Sequence, residues 1–111
     1  MALKTIYIAE DEISIRKACE WILHDYNVHF FPDAEGLLEA LKKTPPDLVL
    51  TDYDMGNGLT GDGLIAKIQN EGYRGAVLMV SGTIPQNVSY RALRKPIEVS
   101  ILRSTIQEIL Q

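Results

Sequence analysis

The strongest constraint on the fold is the alternation of short, mainly apolar runs with segments of helical periodicity. The apolar runs lie at residues 5–9, 28–31, 48–51 and 76–80. The segments whose apolar residues recur at helical spacing lie at 13–26, 34–43, 62–70 and 97–110. Strands separated by helices form a parallel sheet that helices cover on both faces. The alternation therefore predicts an α/β fold, a doubly wound five-stranded parallel sheet whose short last strand lies at 92–94.

Length and charge exclude several classes of protein. The 111 residues suit a single domain over residues 1–111, because a second hydrophobic core would need a longer chain. The net charge is −4 and the Lys and Arg residues are scattered, so we expect no direct binding to nucleic acid. No apolar run approaches the ~18 residues of a membrane span, and the single cysteine, Cys19, cannot form an internal disulfide. We expect a cytoplasmic protein that does not bind a membrane.

Polar residues follow the ends of the predicted strands, where open parallel sheets bind their ligands. These residues are Glu10 and Asp11 after the first strand, Asp52 and Asp54 after the third, Ser81 after the fourth and Lys95 after the fifth. The stretch that begins in the third strand, VLTDYDMGNGLTGDG at 49–63, is compatible with three phosphate chemistries.

The first chemistry is dinucleotide binding. Residues 56–61 match the letters of the fingerprint G-x-G-x-x-G, between a predicted strand and a predicted helix. However, Asp52, Asp54 and Asp62 would crowd a pyrophosphate with negative charge, and no acidic residue follows ~20 positions later to bind a ribose. The sequence therefore disfavours a dinucleotide.

The second chemistry is phosphate ester hydrolysis. Asp52 and Asp54 resemble the paired aspartates of haloacid dehalogenase-type phosphatases, which supply a nucleophile and a general acid. In those enzymes the motif lies at the start of the fold, whereas here it follows the third strand. No aspartate follows Asp62 to complete a metal site, so this reaction is also disfavoured.

The third chemistry uses residues from all the strand ends. The carboxylates of Glu10, Asp11 and Asp52 need a cation to remain ionised close together, and oxygen ligands with open positions favour Mg²⁺. Asp52 can then attack phosphorus as a carboxylate nucleophile and form an acyl phosphate. Lys95 and the hydroxyl of Ser81 would neutralise and hydrogen-bond the phosphoryl oxygens. We therefore favour Asp52 as a phosphorylation site.

The sequence resembles the receiver domain of two-component response regulators from Thr5 to Leu110. The matching motifs are YIAEDE, PDLVLTDYDM, VSG and RKP. The resemblance implies a flavodoxin-like fold, and phosphoryl transfer to Asp52 from a sensor histidine kinase or phosphotransfer protein. It also implies that the main-chain carbonyl of Asp54 completes the Mg²⁺ shell and that Lys95-Pro96 is a cis peptide. Such a domain is a phosphoryl acceptor with slow self-hydrolysis rather than an enzyme, and its output partner would be a separate protein.

The chain departs from the receiver pattern between Ser81 and Lys95. Thirteen residues separate them, and a parallel crossover with a helix needs a dozen or more by itself. We therefore expect the fourth helix of the family to be missing or to be a single turn that begins at Pro85.

The same region raises the question of how a switch would work. Receiver domains couple the Ser81 hydroxyl to an aromatic residue three positions before the lysine, and that position is Ala92, with Tyr90 two residues out of register. The candidate switch residues are Ser81, Thr83, Tyr90 and Ala92. The output would pass through the 82–91 loop, the final helix or the glycine loop. The alternative is a pseudo-receiver, an interaction module that binds its partner without phosphorylation.

Overall fold

The computed structural model describes residues 3–54 and 59–111, which form a five-stranded parallel sheet with four helices. The strands are β1 (Thr5–Ala9), β2 (Asn27–Phe31), β3 (Leu48–Thr51), β4 (Ala76–Ser81) and β5 (Arg91–Arg94). The helices are α1 (Ile13–Ile22), α2 (Ala34–Lys43), α3 (Gly61–Asn70) and α4 (Val99–Ile109). The strand order is β2-β1-β3-β4-β5. The predicted α/β fold with a five-stranded parallel sheet is confirmed.

Successive residues of the strands pack on opposite faces of the sheet. Ile6 and Ile8 of β1 lie in a buried cluster with residues of α1 and α4. Tyr7 and Ala9 lie in a second cluster with residues of α2 and α3. This alternation follows from the period of two in a strand. Because helices cover both faces, the polar residues that follow the strands are confined to the edge of the sheet. Cys19 is buried in the first cluster.

Side-chain caps fix the start of two helices. Asp33 accepts a hydrogen bond from the Gly36 N–H at 2.8 Å at the start of α2. Thr60 accepts one from the Gly63 N–H at 3.1 Å at the start of α3. Such N-cap bonds satisfy amides that have no partner inside the helix. The second cap matters for the site, because α3 begins beside the end of β3.

Two helices are shorter than the periodicity predicted. Helix α1 ends at Ile22, four residues early, and the chain turns so that the Tyr26 N–H donates to the Leu23 carbonyl at 3.0 Å. Helix α4 begins at Val99, two residues late, because its N-cap residue Glu98 is still extended. The residues beyond the helix ends still pack on the core, which explains why the apolar pattern overestimated the helices.

The connection from β4 to β5 contains no helix. Residues 82–90 form neither helix nor strand, and Pro85 begins no helical turn. Strand β5 nevertheless pairs in parallel with β4, with Leu78 opposite Arg91. The predicted loss of the fourth helix of the receiver pattern is therefore confirmed, and the last helix of the chain, α4, follows β5. Within the described part of the chain, no helix is both long and apolar enough to cross a membrane.

Candidate functional site

The carboxyl edge of the sheet brings together Lys95, Asp52 and Glu10, which we call the Lys95 cluster. The Lys95 ammonium donates to Asp52 Oδ2 at 2.9 Å and to Glu10 Oε1 at 3.3 Å. The three residues follow β5, β3 and β1, so parallel pairing places their strand ends at one edge. The Lys95 N–H donates to the Ser81 carbonyl at 3.0 Å, and Lys95-Pro96 is a cis peptide, as the resemblance implied.

The Lys95 cluster sets two buried carboxylates against one ammonium. Glu10 is 4% exposed and Asp52 is 9% exposed. Burial raises the pKa of Glu10, although the Glu12 N–H and the charge of Lys95 act in the opposite direction. Burial lowers the pKa of Lys95, but its hydrogen bond to Asp52 and the charge of Glu10 outweigh this, so the pKa is raised overall. The ammonium therefore stays charged at neutral pH, and among the described residues it is the single cation facing two buried carboxyl groups.

The main chain around Asp52 is held from two directions. The Asp54 N–H donates to Asp52 Oδ1 at 3.3 Å, and the Thr51 hydroxyl donates to the Asp52 carbonyl at 2.8 Å. Gly61, the first residue of α3, packs against that carbonyl so closely that a Cβ atom would overlap it. The position of Asp52 is therefore tied to the start of α3.

The predicted magnesium ligands fall into two groups. Glu10 and Asp52 lie in the Lys95 cluster, whereas the side chains of Asp11 and Asp54 are exposed and make no hydrogen bond to it in the described residues. Across residues 3–54 and 59–111, no three His, Cys, Asp or Glu side chains are arranged so that they could hold a metal ion. The available donors are all oxygen atoms, which is the ligand type that Mg²⁺ prefers.

Of the four predicted switch residues, two are joined by a hydrogen bond among the described residues. Ser81 is buried, and its hydroxyl oxygen accepts a hydrogen bond from the Thr83 N–H at 3.2 Å. Ala92 is half-buried and pairs with Met79 in the sheet. The Tyr90 hydroxyl contacts neither Ser81 nor Thr83 in the described hydrogen bonds. Tyr90 instead contacts α3.

The partner of Tyr90 is a residue that the sequence did not identify as functional. The Tyr90 hydroxyl donates to Asp62 Oδ1 at 2.8 Å, across 28 positions of the sequence. The sequence identified Asp62 only as a charge that disfavours a pyrophosphate and as the last aspartate of the chain. No motif or periodicity relates the two residues, because each lies outside the strands. Part of the glycine loop, residues 55–58 with Gly56 and Gly58 of the fingerprint, lies outside the described residues.

Fold and site together define a class of protein. The strand order 2-1-3-4-5 is that of flavodoxin-like folds, which bind their ligands at the carboxyl edge of the sheet, and here that edge presents a buried Asp, Glu and Lys. The model of the response regulator receiver domain family matches residues 6–108. The chain therefore belongs to the family of response regulator receiver domains.

Solved structures of receiver domains have the same fold as this chain. A response regulator receiver domain protein from Methanospirillum hungatei JF-1 is 24% identical with a TM-score of 0.89, covering 98% of this chain and 94% of that one. Vibrio cholerae chemotaxis protein CheY4 is 23% identical with a TM-score of 0.83, covering 98% and 100%. The N-terminal domain of a response regulator/sensory box/GGDEF protein from Carboxydothermus hydrogenoformans is 25% identical with a TM-score of 0.84, covering 96% and 94%. No curated protein matches the chain in sequence.

Proposed function

We propose that the chain is the phosphoacceptor of a two-component phosphorelay in the cytoplasm. A sensor histidine kinase or a phosphotransfer protein transfers a phosphoryl group to Asp52, and phosphorylation changes binding to a separate output protein. The chain accepts the group and hydrolyses it slowly, and it does not turn over an outside substrate. Its family membership supports the partners, and the geometry of the Lys95 cluster supports the acceptor residue.

The observation on which the proposal depends is the bond from Lys95 to Asp52. An aspartate at a strand end, held 2.9 Å from an ammonium, faces a cation that stabilises negative charge on phosphoryl oxygens. In the transfer, an Asp52 carboxylate oxygen forms a bond to phosphorus. The phosphorus–nitrogen bond of the donor phosphohistidine breaks, and the leaving imidazole nitrogen keeps the electron pair.

In this proposal Ser81 assists the phosphoryl group. Its hydroxyl oxygen accepts a bond from the Thr83 N–H, which leaves the hydroxyl proton free to donate. Ser81 is also joined to Lys95 through its main-chain carbonyl. The proposal therefore assigns a charge-neutralising role to Lys95 and a hydrogen-bonding role to Ser81.

Mg²⁺ fits the oxygen donors of this edge. The residues that would hold it are Glu10, Asp11 and Asp52 through their carboxylates and Asp54 through its main-chain carbonyl, all oxygen donors, and the exposed side chain of Asp11 would have to turn toward the other two. Two buried carboxylates exceed the charge of the Lys95 ammonium, so a further cation is electrostatically favourable. When bound, Mg²⁺ neutralises charge on the phosphoryl oxygens during transfer.

Intact mass spectrometry tests the proposal. The wild-type chain is incubated with acetyl phosphate and Mg²⁺, beside an Asp52→Asn variant, an Asp54→Asn variant and a wild-type sample treated with EDTA. We expect the wild type and Asp54→Asn to gain one phosphoryl group, and Asp52→Asn and the EDTA sample to gain none. The Asp54→Asn variant is the matched control, because it removes a neighbouring exposed carboxylate and retains the main-chain carbonyl.

The other outcomes separate the alternatives. A gain by Asp52→Asn equal to that of the wild type would contradict Asp52 as the acceptor. No gain by the wild type would favour the pseudo-receiver, for which the missing helix between β4 and β5 and the alanine at position 92 are the supporting observations.

A further inference from the structure

The hydroxyl of Tyr90 joins the 82–90 segment to the first turn of α3. It donates to Asp62 Oδ1 at 2.8 Å and lies 3.9 Å from Met79 Sδ. Tyr90 is half-buried, whereas Asp62 is exposed. Burial, followed by the hydrogen bond and charge of Asp62, raises the pKa of Tyr90 above its usual range. The hydroxyl therefore remains a hydrogen-bond donor at neutral pH.

The acceptor of this bond lies next to the contact between α3 and Asp52. Gly61, which precedes Asp62, packs against the Asp52 carbonyl without room for a Cβ atom, and its N–H donates to the Tyr53 carbonyl at 2.8 Å. A displacement of the first turn of α3 therefore requires a displacement of the main chain at Asp52, because close-packed contacts leave no free space to absorb it.

The other end of the 82–90 segment begins at the site as well. Ser81 is buried, and its hydroxyl oxygen holds the Thr83 N–H at 3.2 Å. Between Thr83 and Tyr90 the segment has no helix that would hold it by its own main-chain bonds. The segment is thus tied to the phosphoacceptor region at both ends, at Ser81 and through Tyr90 to Asp62.

We propose that the Tyr90–Asp62 hydrogen bond is a latch that opposes phosphorylation of Asp52, with Tyr90 and Asp62 as positioning residues. The inference rests on the proposed function of Asp52. In the phosphorylated state the Ser81 hydroxyl donates its free proton to a phosphoryl oxygen, and the Thr83 N–H that its oxygen holds moves with it, which displaces the 82–90 segment. The far end cannot follow while Tyr90 is bound to Asp62. Because this movement accompanies transfer of the phosphoryl group, breaking the latch lowers the free energy that the movement costs and speeds phosphorylation of Asp52.

The rate of Asp52 phosphorylation by acetyl phosphate with Mg²⁺, followed by intact mass, tests the latch. We expect Tyr90→Phe and Asp62→Ala each to raise the rate roughly three- to tenfold, the range for one partly exposed hydrogen bond to a charged group. The double variant should react no faster than either single variant, because both substitutions remove the same bond. Asp62→Asn, which retains an acceptor oxygen, should raise the rate less than Asp62→Ala.

Tyr26→Phe is the matched control, since it removes the hydroxyl of another half-buried tyrosine, which packs against the α1 and α4 cluster. Its rate should equal that of the wild type, and urea unfolding confirms that each variant is folded. The latch would be overturned if the single variants reacted no faster than the wild type. It would also be overturned if the rate increases of the two single variants multiplied in the double variant. A folded wild type that gains no phosphoryl group would overturn the proposed function itself, and the wild-type sample alone reveals this.

Discussion

At the scale of single residues, the Lys95 cluster depends on one cation for two buried carboxylates. The side chain of Lys95 is 20% exposed, and those of Glu10 and Asp52 are 6% and 12% exposed. Removing one partner of a buried ion pair leaves the other charge without compensation, and this costs more than the pair itself contributes. The stability of the fold and the charge needed at the site therefore depend on the same residue.

We predict that Lys95→Met lowers the free energy of unfolding by about 2 kcal/mol at neutral pH without divalent cations. Methionine keeps the length and apolar stem of the side chain, so the loss reports the missing charge. Lys42→Met is the control, because Lys42 forms an exposed pair with Glu39 and should change the free energy by less than about 0.5 kcal/mol. Urea unfolding measures both variants. Equal effects would contradict the electrostatic role of Lys95.

The sequence predicted the positions of the Lys95 cluster because each member directly follows a strand. Parallel topology brings strand ends together without any knowledge of the side chains, so Glu10, Asp52 and Lys95 could be grouped from their order alone. The contact between Tyr90 and Asp62 could not be predicted in this way. Both residues follow or precede irregular segments, and the path of such segments depends on packing that periodicity does not describe.

At the scale of the elements, the start of α3 is positioned by a glycine that touches Asp52. A Cβ atom on Gly61 would overlap the Asp52 carbonyl, which is main chain and cannot rotate away. By contrast, a Cβ atom on Gly82, at the start of the 82–90 segment, would meet nothing within 4 Å. Packing against Asp52 therefore requires a glycine at position 61, whereas the space around position 82 would accept a side chain.

We predict that Gly61→Ala lowers the free energy of unfolding by about 1–3 kcal/mol, the usual cost of forcing an extra carbon into a packed position. Gly82→Ala should leave it unchanged or raise it by up to about 1 kcal/mol, because alanine restricts the unfolded chain. Urea unfolding of the two variants under the same conditions makes the comparison. If Gly61→Ala were as stable as Gly82→Ala, the first turn of α3 would not be held against Asp52.

The end of α1 is tied to α4 by Arg103. Its guanidinium donates to the Ile22 carbonyl at 2.6 Å and to both oxygens of Asp25 at 3.0 and 2.9 Å. The hydrogen bond to Arg103 lowers the pKa of Asp25 to about 2. A side chain of α4 thus donates a hydrogen bond to a main-chain carbonyl at the end of α1. A contact between helices so far apart in sequence could not be inferred from the periodicity of either, and α1 was predicted too long.

We predict that the Arg103–Asp25 bond contributes stability that is present above the ordinary pKa of an aspartate. Because the folded pKa of about 2 lies below the ordinary value of 3.8, this stability is lost as the pH falls from about 5 toward 2. Asp25→Asn should therefore be less stable than the wild type at pH 7, and the difference should narrow in that acid range. Urea unfolding from pH 7 to pH 2.5 measures the difference. A difference that stayed constant with pH would contradict the assignment.

At the scale of the whole molecule, helices cover both faces of the sheet, but the connection between β4 and β5 has no helix. Hydrophobic periodicity predicted the covered parts, since each strand and helix buries a face. The uncovered connection followed from counting residues between Ser81 and Lys95, which are too few for a crossover helix. The sequence could predict that a helix was lost there, but it could not predict the path of the chain or the bond from Tyr90.

The rate of amide hydrogen exchange should differ between the sheet, which helices cover, and the connection between β4 and β5, which has no helix. Residues 84–90 donate no main-chain hydrogen bond to other described residues, so their amides should exchange within about tenfold of the rate of an unfolded chain. The amides of β1 and β3 are buried between neighbouring strands and should exchange most slowly, through global unfolding. Exchange followed by mass spectrometry on peptides at neutral pH resolves the two regions. Strong protection at 84–90 would mean that another contact holds the segment, and the latch through Tyr90 would then not be its main tie to α3.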